Sequence, residues 1–191
     1  MKALGLAIIL AMTCSPVAQA SETFQFDPAQ SSISFKIRHF LGTAKGRFTK
    51  FSGTIEVDRE RPEQSSVVAT IQASSIDTGI AKRDEHLRGE DFFDVRKFPV
   101  IIFKSARVKQ TGPNGGEIAG ELTIHGITRP ITLKAQLLEA TESAAKAQKT
   151  RWRVATSLNR SGFKLGSNRV ASSMIGEEVA IDIQIEAERE K

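Results

Sequence analysis

The chain has 191 residues, 40% of them apolar and 26% charged, with only 14 Gly and 6 Pro, a composition that excludes extensive disorder and fits one ordinary globular domain. Its formal charge of +5 is mild. The basic residues are scattered as singles and pairs (Lys36/Arg38, Lys45/Arg47, Lys82/Arg83, Arg151/Arg153), which argues against a nucleic-acid-binding stripe and suits a solvated surface or a transient contact with anionic headgroups.

The N-terminus reads as a processing signal. Lys2, the apolar run from Ala3 to Met12 and the small-residue site Ala18-Gln19-Ala20 form a cleavable export signal over residues 1–20, so one domain is expected over residues 21–191, in the bacterial periplasm. Cys14 is the single cysteine and leaves with that signal. Disulfides, a thiol nucleophile and a cysteine zinc site are therefore not expected in the mature domain. Ala11-Met12-Thr13 before Cys14 is a poor match to a lipidation signal.

From there the dominant period is two, the mark of strands with one buried and one wet face. Ile33, Phe35 and Ile37 alternate with Ser34, Lys36 and Arg38, which puts His39 in phase with the apolar set. Phe51, Gly53, Ile55 and Val57 continue in a second strand with Phe48 out of step, predicting a bulge near Thr49-Lys50 that bends a long strand. Val67, Ala69, Ile71 and Ala73 follow. Ile80 to Arg88 is the one helical segment, with Thr78 as N-cap, Gly89 as stop and Ile80 and Leu87 as a narrow apolar stripe. Val100 to Phe103 is apolar on both faces, as in a strand covered outside.

Further alternating runs lie at Ile118–Ile124, Ile131–Leu137, Trp152–Leu158 and Val179–Ala187. Asn114-Gly115-Gly116 and Gly126 to Pro130 read as turns, Glu142 to Lys149 as a polar loop tip, and Ser161 to Gly176 as irregular chain. The expected fold is all-β: an extended antiparallel barrel of about eight strands with one short covering helix, closure removing the exposed edges that disulfides cannot staple here.

Chemistry-bearing motifs are sparse. His39, His86 and His125 stand far apart with no metal-ligand spacing, no Gly-X-Ser-X-Gly is present, and no phosphate loop occurs. Metal, cofactor and catalytic residues are accordingly not expected. The eleven Phe residues with one Trp and no Tyr instead offer rings that need no polar partner, which suits either a packed core or a hydrocarbon-lined lumen.

Phe26-Asp27, Ser31-Ser32-Ile33-Ser34-Phe35, Gly46-Arg47-Phe48, Ser75-Ile76-Asp77-Thr78, Arg83-Asp84-Glu85-His86-Leu87-Arg88, Asp91-Phe92-Phe93-Asp94-Val95 and Phe98-Pro99-Val100 follow in an order that resembles the YceI-like family of exported, polyisoprenoid-binding proteins. The resemblance continues through Gly120 to Thr128 and Ile175 to Val179. It implies a lipocalin-like barrel whose apolar tunnel holds a long isoprenoid, in some members one with a quinone-type head, and a helix that covers one side with Arg83, Asp84 and His86 in a lid network or at the head group. On this basis the ligand is expected to meet Ile33, Phe35, Ile37, Phe51, Phe92, Phe93, Phe98, Phe103, Leu122, Ile124, Phe163 and Met174, with polar contacts from His39, Asp84 and His86. Two rival readings stay open at this point: a packed barrel serving as an envelope stress or interaction module, and an isoprenoid- or quinone-modifying enzyme using His39 or His86. A homodimer through a barrel edge or mouth is likewise left open.

Overall fold

A computed structural model describes residues 21–142, 148–166 and 175–190. The expected leader, residues 1–20, lies outside the described residues, as do Met174 and most of the expected loop tip at 142–149. Eleven strands and one α-helix follow in the order β1 (Glu22–Phe26), β2 (Ser32–His39), β3 (Gly42–Phe48), β4 (Phe51–Val57), β5 (Ser66–Gln72), β6 (Ile76–Asp77), α1 (Ala81–Arg88), β7 (Val100–Gln110), β8 (Gly115–Ile124), β9 (Ile127–Glu142), β10 (Gln148–Asn159) and β11 (Ile175–Arg189).

Three pairs of these strands are single staves broken by a bend. β2 pairs with β3 and β1 with β4, β4 pairs with β5 and β3 with β6, so β1/β2, β3/β4 and β5/β6 each run as one strand in two pieces. With β7 to β11 they make a closed eight-stave antiparallel barrel. Closure is made by β11, whose free edge is shared between β2 (Ile175 to Gln184) and β1 (Ala187 to Arg189). Among the described residues every stave thus has two partners, so none is an open edge over its whole length.

The bend expected at Thr49-Lys50 separates β3 from β4. It is held across the barrel wall, where the Thr49 amide and hydroxyl donate to the Ser75 carbonyl and the Gln72 amide donates to that of Lys50. Phe48 and Phe51, on either side, are both buried. A second irregularity between Ser105 and Arg107 shifts the register of β7 on β8, so the inward phase passes from Ile101 and Phe103 to Val108.

Several expectations need correction. The helix starts at Ala81, and Ile80, not Thr78, is its N-cap residue, without a side-chain cap bond. Ile80 is 52% exposed, so the stripe reduces to Leu87, which packs against the core. The turn before β9 is only His125-Gly126, both at positive φ (52° and 72°), the two-residue mirror-image turn that matches strand twist. Residues Ile127 to Pro130 are already strand, and Pro130 is tolerated because it pairs with Glu121 of β8 while the pairing to β10 begins further on, at Lys134. Val100 and Ile102 are half-buried, so the outer cover of β7 is partial. The irregular stretch after β10 opens with a 3-10 turn at Arg160–Phe163.

Candidate ligand-binding cavity

The inward face of the barrel encloses a cavity of about 1070 Å³. Alternation supplies its wall: Ile33, Phe35 and Ile37 from β2, Ile55 from β4, Ala69 and Ile71 from β5, and Ile101 and Phe103 from β7. Ile118, Leu122 and Ile124 of β8 continue it, followed by Leu133 and Ala135 of β9, Trp152 and Val154 of β10, and Ile181 and Ile183 of β11. Many of these inward side chains, among them Phe35, Ile37, Ile55, Ile71, Ile118 and Ile183, are only half-buried. In a solid core they would touch neighbours on all sides and lose nearly all exposure. The lumen is hollow.

Glycines help to keep it so. A Cβ on Gly46 would lie 2.4 Å from the Phe35 ring, one on Gly53 2.3 Å from Phe26, and one on Gly120 2.8 Å from Phe103. Each ring therefore occupies space beside the wall that a side chain at a neighbouring-strand glycine would otherwise take.

Polar lining residues gather mainly at the two ends: Asp58, Arg59, Gln110 and Asn114 at one, and His39, Thr78, Arg83, His86 and Arg160 at the other. At the second end Asp84 is buried and accepts hydrogen bonds from the Thr78 amide and hydroxyl, while Arg83 Nε donates to that hydroxyl at 2.8 Å. Asp77 braces the same corner. Its carboxyl is held below the ordinary 3.8, first by the Gly79 amide and then by the Arg47 guanidinium. His39 Nδ1 accepts the Leu41 amide at 3.3 Å, which leaves the proton of a neutral ring on Nε2. His86 sets its ring edge-on to Phe92 at 5.1 Å.

The expected ligand-contacting residues divide accordingly. Ile33, Phe35, Ile37, His39, His86, Phe92, Phe93, Phe103, Leu122 and Ile124 line the cavity. Four do not. Phe51 is buried at the strand bend opposite Ile71, and Asp84 turns to Thr78. Phe98 and Phe163 pack about the β8–β9 turn: the Phe98 ring meets His125 edge-on at 4.9 Å, and His125 Nδ1 bonds the Phe163 carbonyl at 3.3 Å. Phe98 precedes β7 and Phe163 follows β10, in connecting chain whose packing a period of two does not report.

Arg160 escaped the sequence reading. It is 2% exposed, and its guanidinium donates to the carbonyls of Leu165, Gly166, Ile175 and Gly176 and to Glu177 Oε1, at 2.7–3.0 Å. The group ties the chain after β10 to the start of β11 and is fully engaged in doing so. No pattern in the sequence marks an arginine after a strand as buried.

Among the described residues, His39 and His86 have no carboxylate hydrogen-bond partner, so neither is placed as the base of a catalytic pair. Asp27, Glu186 and Glu188 bring carboxylate oxygens within 4.8 Å of one another, but Lys149 bridges Glu186 and Glu188 and Arg151 binds Glu186. The positive charge that this cluster needs comes from the protein itself.

The YceI-like domain family model matches residues 24–187. A UPF0312 protein of Vibrio cholerae is 35% identical over 165 residues, covering 84% of this chain and 85% of the relative. Among solved structures, BcnA of Burkholderia cenocepacia superposes with a TM-score of 0.77 at 25% identity, covering 84% of this chain and 98% of that one. A polyisoprenoid binding domain from Saccharophagus degradans, implicated in plant cell wall breakdown, shares the fold with a TM-score of 0.64 at 17% identity, over 87% of this chain and 98% of that one.

Proposed function

The chain belongs to the YceI-like domain family, and on that premise we propose that it is an exported, periplasmic, non-catalytic carrier that withdraws a long polyisoprenoid from a membrane and shields it from water. The hollow apolar lumen carries this reading. At about 30 Å³ per carbon-sized group, 1070 Å³ holds on the order of 35 carbons, about seven isoprene units. Ten residues of β8 at about 3.4 Å each, tilted near 40°, give the lumen a length of about 25 Å.

Affinity comes from burial, at about 0.8 kcal/mol per CH₂ before the costs of association. No buried side-chain polar atom among the described residues lacks a partner, so the head of the ligand is met at the mouth, where His39 Nε2, Arg83 and His86 lie beside the lumen, and head selectivity is modest. The absence of a histidine–carboxylate pair among the described residues favours carriage over turnover, and the hollow lumen favours it over a packed interaction module. The test is a titration of the purified protein with polyprenols of increasing length. Affinity is expected to rise with each unit to about seven and then level off; an affinity independent of length overturns the reading.

A further inference from the structure

We propose that the tip of the β2–β3 hairpin is a membrane-docking element, in which Phe40 and Leu41 insert among the headgroups of an anionic phospholipid bilayer and hold the cavity mouth against the lipid. The inference rests on the lipid-carrier reading of the cavity and adds the surface through which the ligand enters.

Phe40 and Leu41 are 83% and 82% exposed and head the large hydrophobic residues that the described surface shows to water. They form the two-residue link between His39 and Gly42, a place where hairpins ordinarily carry Asn, Asp or Gly. Neither packs in the core, so the fold gains nothing from them there. Both also line the cavity, which makes the exposed tip continuous with the lumen. Ile80, 52% exposed, lies at the same end, because β6 runs antiparallel to β3 from the Phe48–Ile76 pair toward the hairpin.

The charge around this tip is basic. Lys36, Arg38 and Lys45 are exposed on the outer face of the hairpin, and Lys82 is exposed at the start of α1; among the described residues none of the four is in an ion pair. Of the acidic groups at this end, Asp77 is bound by Arg47 and Glu177 by Arg160, while Glu85 and Glu178 are exposed and fewer than the four cations, so the end stays net basic. An apolar point ringed by unpaired cations is the pattern of an interfacial anchor. A protein partner would need on the order of 800 Å² of complementary surface, which a two-residue point does not offer; a bilayer needs only the point.

The test is flotation of the purified protein with protein-free vesicles, made either of phosphatidylethanolamine and phosphatidylglycerol or of phosphatidylcholine alone. The wild type is expected to float with the anionic vesicles, less so at high salt, and weakly with the zwitterionic ones. Phe40→Ser with Leu41→Ser should lower that partitioning about a hundredfold. Lys36→Gln with Arg38→Gln and Lys45→Gln should weaken its salt dependence. Both variants should keep the wild-type Tm, and the charge variant, whose residues lie outside the cavity, should also keep the wild-type uptake of geranylgeraniol added from ethanol without vesicles; transfer from vesicles should slow in both, and in the tip variant by more than that direct uptake falls. Flotation unchanged by the tip substitutions overturns the proposal. So does a wild type that ignores protein-free anionic vesicles, including one retained only by membranes that contain proteins. Failure of the carrier reading looks different: the tip-dependent flotation stays, supporting the docking element, and no form of the protein takes up isoprenoid.

Discussion

Filling the lumen separates a hollow barrel from a packed one. Ala135 is in mid-strand on β9 between Gly116 of β8 and Val154 of β10, and all three line the cavity. Ala135→Phe adds about six carbons, or roughly 180 Å³ at the share of a carbon-sized group, about one sixth of the 1070 Å³ present. A chain long enough to fill the lumen then loses about six buried carbons, on the order of 5 kcal/mol, while a chain short enough to leave that end empty loses little. Stability should stay level or rise, because the ring enters space that no atom holds. In a solid core the same substitution would cost about 1–3 kcal/mol, a fall of roughly 2–12 °C in Tm for a domain of this size. The assay pairs thermal unfolding of the ligand-free protein with affinities across a polyprenol length series. A destabilised protein whose length preference is unchanged would refute the reasoning.

Arg160→Met removes the donor to four carbonyls and one carboxylate and should cost about 3 kcal/mol or more, read as a lower midpoint in urea and as faster amide exchange at Leu165 and Gly166. Gly46→Ala puts a methyl 2.4 Å from the Phe35 ring and 2.9 Å from Thr78 Cγ2; it should destabilise by about 1–3 kcal/mol, and Phe35→Leu added to it should restore most of the loss in the same melt. Asp77 has a lowered folded-state pKa, so its contribution is complete above the unfolded value of about 3.9 and is lost as pH falls through the folded value. Thermal stability should therefore lack an Asp77 contribution to its slope between pH 5 and 8 and decline below about pH 4, and Asp77→Asn should flatten that acid limb; an unaltered limb would show that the carboxylate holds no charge-dependent bond.

Much of the barrel is legible in the sequence because its physics is local. Strand alternation places Phe35, Ile37, Leu122 and Ile183 on one face without knowledge of any partner, and the phase break between Phe48 and Phe51 marks the bend. What the period cannot carry is the insertion that changes phase: the irregularity at Ser105–Arg107 turns Val108 inward, and nothing in those residue types announces it. Part of the lining is hidden from the period for a related reason. Phe51, Phe98 and Phe163 have the right chemistry for a lumen, but their places are fixed by a bend and by loops packed on loops. Whether the barrel is solid or hollow depends on small residues lying opposite large rings, as Gly46 does opposite Phe35, and on a sum of volumes over all eight staves. Arg160 shows the converse, a charged residue buried because carbonyls distant in sequence converge on it.

The most direct test of an isoprenoid in the lumen is to express the full chain in a bacterial host, purify it without detergent, and weigh it by native mass spectrometry beside mass spectrometry of its organic extract. The expected result is a one-to-one adduct that the extract identifies as an unmodified isoprenoid lipid of about seven units. A protein that is empty as isolated, and that remains empty when polyprenyl lipids are added, would contradict it.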